Sequence, residues 1–312
     1  MKILLTGATS FTGLWFAREL AGAGHQVVAT VRSESYEGVR GERFKELKKV
    51  SSIEPNVSFG SRKFLEVLES GKFELICHHA AEMKDYRSPN FDYMAATANN
   101  TNNLRRVLDI FHGGGGQGVI LTGSVFESNE GLGDPGAFSP YGLSKTMTYE
   151  IFRYFCEQRK LKLGKFVIAN PFGPYEEERF TYYLVKTWAS GQIPHVRVPE
   201  YLRDNAHVSL LSRCYCKFVE ILPSQSQILT KLNPSGYVCK QGEFAEKYAK
   251  EFSKRAGREL QVILDHQTDF SEPMRRYNAD SAVEYVGKWE ESKAWDECFE
   301  YYGERLNGSS VS

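Results

Sequence analysis

Lys2-Ile3-Leu4-Leu5-Thr6 is an apolar run that stops at Gly7; after a polar turn, Leu14, Trp15, Ala17, Leu20 and Ala21 recur at helical spacing before a second run, Val27-Val28-Ala29-Thr30-Val31. A run of strand length, a turn, a 3.6-residue period and another run read as strand, helix, strand. Such a unit closes into a parallel pair with a right-handed crossover, and the turn after its first strand becomes the mouth of a crevice.

The alternation continues along the chain. Residues 34 to 56 are charged, with a short helix expected around Arg43 to Val50, and a second short helix falls on Phe64, Leu65, Val67 and Leu68. A strand from Phe73 runs into His78, His79, Ala80 and Ala81, a loop covers 82 to 93, and a helix is expected from Tyr93 to Phe111. After the flexible turn Gly113 to Gly118 come a buried strand, Val119 to Ser124, and a long helix from Ser139 to about Lys160. The strand beginning at Phe166 is stopped by Pro171, Gly173 and Pro174, and a helix from Phe180 to Gly191 follows. Further on, the pattern gives a helix near Glu243 to Ala256, a strand at Leu260 to Leu264 and a last helix from Ser292 to Leu306. The fold class is therefore α/β, a Rossmann-type doubly wound parallel sheet with a smaller C-terminal lobe. Residues 1–170, with a returning segment near 203–230, form the sheet domain, and 171–312 are mainly a substrate-binding lobe.

Composition narrows the classes. Of 312 residues 41% are hydrophobic, ample for a large core, and Lys plus Arg equals Asp plus Glu at 39 each, which removes any electrostatic reason to expect nucleic acid or an anionic membrane. Six cysteines without a CxxC pair indicate neither a metal site nor a disulfide framework, and Cys214 and Cys216 read as small buried apolar residues. No apolar stretch reaches membrane-spanning length, and the chain starts on a core strand, so a soluble cytoplasmic protein is expected.

Candidate chemistry gathers at strand ends. Gly7 and Gly13 bracket Thr9, Ser10, Phe11 and Thr12 at a helix start, where free amides and the helix dipole favour a pyrophosphate; Ser10 stands where the usual fingerprint has its middle glycine. The second strand ends in Arg32, with no carboxylate before Glu34, which favours NADP(H) over NAD(H). Ala80 and Ala81 let a flat ring lie against the backbone, while His78 by itself reads as a packed strand-end residue. Lys84, Tyr86 and Arg87 are candidate substrate contacts, and Arg203 is placed to hold a phosphate. Thr122 and Ser124 carry hydroxyls into the crevice. Tyr141 and Lys145, four apart on one helix face, form an acid–base pair in which the ammonium is expected to lower the phenol pKa.

TGATSFTG at 6–13, HxAA at 78–81, the strand end at 122–125, YGLSK at 141–145, NPFGP at 170–174 and RDxxHV at 203–208 occur in order. The sum resembles the extended short-chain dehydrogenase/reductase family, within it the NAD(P)-dependent nucleotide-sugar epimerase, dehydratase and reductase group. The resemblance implies Tyr141 as general acid or base, with Lys145 also holding the nicotinamide ribose. It implies Thr122 as the hydroxyl on the reacting oxygen with Ser124 as runner-up, Asn170 and Arg203 as contacts of the sugar nucleotide, and His78 with Ala80 and Ala81 beside the cofactor.

Sugar dehydratases of the group carry Asp-Glu where this chain has Gly123 and Ser124, so an acid for elimination is missing, and Thr97 replaces a helix-kinking asparagine of many relatives. The resulting expectation is an NADPH-dependent reductase of a 4-keto group on a nucleotide-linked 6-deoxysugar. The rivals are an NAD-retaining epimerase, a non-catalytic nucleotide-sensing regulator and a reductase of non-sugar ketones. The family also implies a homodimer through a four-helix bundle built from the helix around 100 to 111 and the one carrying Tyr141.

Overall fold

The computed structural model describes residues 1–132 and 135–308. The first half alternates as the periodicity dictates: β1 (Lys2–Thr6), α1 (Phe11–Gly22), β2 (Gln26–Thr30), α2 (Gly38–Val50), β3 (Ser52–Glu54), α3 (Arg62–Gly71), β4 (Leu75–His78), α4 (Tyr93–Asn100), α5 (Leu104–Gly113), β5 (Gly118–Ser124) and α6 (Pro140–Arg159). Then follow β6 (Lys162–Ile168), β7 (Asn170–Phe172), α7 (Phe180–Ala189), β8 (His195–Val196), β9 (Leu202–His207), α8 (Val208–Ile221), β10 (Leu229–Leu232), β11 (Pro234–Ser235) and β12 (Tyr237–Lys240). The chain ends with α9 (Gln241–Ala256), β13 (Ile263–Leu264), β14 (Arg275–Arg276), β15 (Asp280–Ser281), α10 (Ala282–Val286) and α11 (Glu291–Gly308).

Seven parallel strands lie in the order β10-β6-β5-β4-β1-β2-β3. The order reverses between β1 and β4, which pair from Ile3 opposite Leu75 to Thr6 opposite His78. A crevice therefore opens over the C-terminal ends of these strands. Because side chains alternate along a strand, Ile3, Leu5, Cys77 and Ile120 pack with residues of α1 and α8, while Leu4, Ile76, Val119 and Leu121 pack with those of α3, α5 and α6. Both faces are covered, which explains why the strands read as continuous apolar runs.

A second sheet is centred on β9, with β12 antiparallel and β7 and β14 parallel to it. It is backed by an aromatic core that includes Phe172, Trp188, Phe244, Tyr248, Phe252, Trp295 and Tyr302. Segment 203–207 thus belongs to this sheet, whereas α8 and β10 return to the parallel one.

The helix expected over 93–111 is two. Asn103 has φ +49°, and its amide donates to Gly60 O at 2.8 Å, while that of Asn102 donates to Phe59 O at 3.2 Å. Side-chain amides that bond neighbouring loops replace the helical ladder there. The strand starting at Phe166 divides at Ala169, and only Ile263–Leu264 of the expected 260–264 strand pairs, with β8. Cys214 and Cys216 are buried on α8.

Candidate functional site

Gly7 sits at φ +73°, and a Cβ there would stand 2.6 Å from the Ala80 amide, so the first turn lies directly on the chain leaving β4. Ser10 caps α1: its Oγ accepts from the Gly13 amide at 3.1 Å and donates to Gly7 O at 2.8 Å. The Phe11 and Thr12 amides, one and two residues beyond the cap, have no helical carbonyl behind them and suit an anion. Arg43, buried on α2, ties this turn down: it donates to Thr9 O and Tyr175 O and pairs with Glu177 at 2.7 Å. Nothing in the charged stretch 34–56 marked it out in advance.

One cavity of about 1720 Å³ runs over the strand ends, with this turn, Arg32, Tyr36 and Arg40 in its wall along with Thr122, Tyr141, Lys145, Asn170 and Arg203. That is room for a dinucleotide and a second nucleotide-sized ligand, and the glycine-flanked turn fits a dinucleotide's diphosphate. Thr9, Ser10, Phe11, Thr12, Ala80, Ala81 and Ser124 also line it, and Lys84 is exposed at its wall. Arg32 is mostly exposed, 4.0 Å from Glu82, with Arg40 over the Tyr36 ring nearby.

His78 lies between the rings of Phe59 and Phe152 and bonds Thr6 Oγ1 at 2.9 Å and Asn100 O at 3.1 Å. Burial and then Lys145 lower its pKa to about 3, so it is a neutral packing residue whose edge reaches the cavity.

Ser124 is taken up by its own turn: its Oγ accepts from the Phe126 amide and its amide donates to Glu127. Thr122 Oγ1 instead meets His79 Nδ1 at 2.9 Å.

The Tyr141–Lys145 relation differs from expectation. Tyr141 packs among Tyr86, Phe91 and Phe126, and its pKa is raised, first by burial and then by Glu127 and Tyr86. Lys145 does not lower it: its Nζ donates to Thr122 O at 2.6 Å. Burial lowers the Lys145 pKa, opposed by Glu127. Helical spacing brought both residues to one cavity wall, while the carbonyl of β5 decided which way the amine points.

Asn170 on β7 stands opposite Asn205, and Arg203 on β9 opposite Arg276 on β14. Both guanidiniums bond Glu272, at 2.9 and 3.1 Å. Arg276 packs over Phe126 and Phe138, its Nε and Nη1 are buried without a hydrogen-bond partner among the described residues, and burial brings its pKa down to about 10. Two cations sharing one carboxylate leave charge for an anionic ligand. Arg276 has no local sequence signal; only strand register pairs it with Arg203. His79, at the variable position of HxAA, likewise carries no sequence signal of its own. Glu176, in the wall, accepts from the Gly173 amide and Thr181 Oγ1, and burial raises its pKa to about 7.

No curated protein matches the chain in sequence. Among solved structures, a UDP-glucose-4-epimerase from Stenotrophomonas maltophila with bound NAD and formylated UDP-arabinopyranose is similar in fold, with TM-score 0.77 at 15% identity over all of both chains. A UDP-glucuronic acid 4-epimerase from Bacillus cereus with UDP-glucuronic acid and NAD has TM-score 0.73 at 14% identity, covering 98% of this chain and 100% of that one. At such identities the likeness is one of fold, the extended short-chain dehydrogenase/reductase fold. The family model for the NAD dependent epimerase/dehydratase family matches residues 3–221, over two thirds of the sequence. A Rossmann sheet with a nucleotide turn, under a sequence match of that extent, places this chain in the NAD dependent epimerase/dehydratase family.

Proposed function

We propose that the chain is a nucleotide-sugar epimerase that oxidises a sugar hydroxyl transiently and returns the hydride, using NAD(H). The observation that supports it best is the single cavity shared by the α1 turn, the Thr122, Tyr141 and Lys145 group and the Arg203–Arg276 pair. The two similar structures named above, which hold NAD with a UDP-sugar, are 4-epimerases, which favours this reading over the keto-reductase expected from the sequence.

A bound nicotinamide would supply hydride acceptance and donation. The residues of the chain would do the rest. The first-turn amides of α1 would hold the diphosphate of the cofactor, and Arg203 and Arg276 that of the substrate. Tyr141 Oη, as the phenolate, would take the proton of the sugar hydroxyl in the oxidising half and, as the phenol, return it to the keto oxygen in the reducing half, while Thr122 Oγ1 would bond the reacting oxygen. Lys145, held on Thr122 O, would fix the strand end and keep a cation in that wall.

The test is incubation with UDP-glucose and UDP-glucuronic acid, followed by chromatography of the sugars. Interconversion without net change in cofactor absorbance supports the epimerase. Tyr141→Phe should lower kcat by about 10²–10⁴.

Arg32 and Arg40 in the cavity wall favour a second reading, an NADPH-dependent reductase. Cofactor content separates the two: NAD retained through purification supports the first, while NADP binding that weakens about tenfold in Arg32→Ala supports the second. We also propose a homodimer through α6 and, in place of the expected helix around 100 to 111, which is α5, through α4; α4 and α6 pack together and leave Met94, Leu143 and Tyr154 exposed, and Leu143 and Tyr154, eleven residues apart, share a helix face. No described helix is long and apolar enough to cross a membrane.

A further inference from the structure

His79 stands in the cavity wall between the nucleotide turn and the end of β5. Its Nε2 lies 3.0 Å from Ser10 Oγ and 2.9 Å from Thr12 Oγ1, and its Nδ1 lies 2.9 Å from Thr122 Oγ1. Phe16 packs edge-on against the ring at 5.1 Å. These contacts decide where the imidazole proton sits.

Ser10 has one hydroxyl proton, and that proton goes to Gly7 O; the same oxygen accepts from the Gly13 amide. Toward His79 it therefore shows only lone pairs. Two facing lone pairs at 3.0 Å repel, so Nε2 carries the hydrogen and shares it between Ser10 and Thr12. Desolvation, with Lys145 second, holds the ring pKa down to about 3, so the ring is neutral and has one N–H only. Nδ1 is then a bare acceptor, and the short contact to Thr122 Oγ1 is closed by the threonine proton.

We infer that His79 is a positioning residue: with its own proton fixed on Nε2 it holds the Thr122 hydroxyl proton on Nδ1, so that Thr122 Oγ1 meets the cleft as a hydrogen-bond acceptor matched to a substrate hydroxyl rather than to a carbonyl. The inference deepens the epimerase reading and rests on it for the identity of the partner hydroxyl. An alcohol substrate finds its acceptor ready-made. A ketone oxygen receives no proton from Thr122 unless that hydroxyl leaves His79, so the donor to the ketone is Tyr141. The same ring leaves the Thr12 hydroxyl proton free for a phosphate on the turn, linking cofactor seat and reacting hydroxyl through one side chain.

The test has an arm that needs no turnover. In full-length protein labelled with [15N]histidine, long-range proton–nitrogen NMR should show His79, assigned by its loss in His79→Asn, as the Nε2–H tautomer without titration from about pH 5.5 to about 8.5. Thr122→Val should move the Nδ1 resonance. An Nδ1–H tautomer, a titration in that range, or an Nδ1 signal indifferent to Thr122→Val overturns the inference.

The second arm follows UDP-glucose turnover. His79→Leu should lower kcat about tenfold with KM within about twofold, whereas His79→Asn, whose amide oxygen can stand in for Nδ1, should recover most of it. Equal losses in both variants, tracking their thermal stability, mean a purely structural histidine and overturn the inference. If wild-type protein turns over no nucleotide sugar, the epimerase reading fails, and the tautomer result alone decides the orientation of Thr122.

Discussion

Replacing Gly7 by alanine separates a conformational cost from a packing cost, because Gly24 provides an internal control. Both glycines have positive φ, +73° and +85°, yet a Cβ at Gly24 would meet nothing within 4 Å among the described residues, whereas at Gly7 it would stand 2.6 Å from the Ala80 amide nitrogen and 2.9 Å from its Cα. The left-handed conformation costs an L-residue about 1–2 kcal/mol at either site. Forcing a methyl against backbone adds about 1–3 kcal/mol at Gly7 alone. With an unfolding entropy of about 2.1 cal/mol/K per residue, the 312-residue chain loses about 1.5 °C of Tm per kcal/mol. Gly24→Ala should therefore melt about 2–3 °C below wild type and Gly7→Ala about 3–8 °C below. Thermal melts by circular dichroism measure this, and calorimetric titration with NAD and NADP should show weakened binding for Gly7→Ala only. If the two variants melt together and both bind dinucleotide as wild type does, the close approach of the α1 turn to β4 is wrong, and with it the placement of the cofactor seat.

Glu176 gives a pH signature: a folded pKa of about 7 lies above the ordinary 4.5, so its contribution to stability is complete below about pH 4.5 and is lost as pH rises to about 7, by at most about 3 kcal/mol. In Glu176→Gln the amide can bond Gly173 and Thr181 as the protonated acid does, so chemical denaturation at pH 5 and 8 should show a flatter profile and a variant more stable than wild type at pH 8; an unchanged slope would refute the shift. For the dimer, light scattering should give about twice the chain mass for wild type and a monomer for Leu143→Glu, and a monomeric wild type would end that proposal.

Readable from the chain alone is whatever depends on neighbours a few residues apart. The period of α1, the apolar runs of β1, β4 and β5, the glycines of the first turn and the one-turn spacing of Tyr141 and Lys145 are local, so the Rossmann sheet and the cavity wall could be read directly. Tertiary structure decided the rest. Asn103 broke a helix because Gly60 offered it a carbonyl, the carbonyl of Thr122 turned Lys145 away from the role that spacing predicted, and strand register set Arg276 beside Arg203. His79 reaches Ser10 and Thr122 across 69 and 43 residues. Hydrogen bonds of that separation are fixed by packing the sheet, and no window along the chain contains both ends of one.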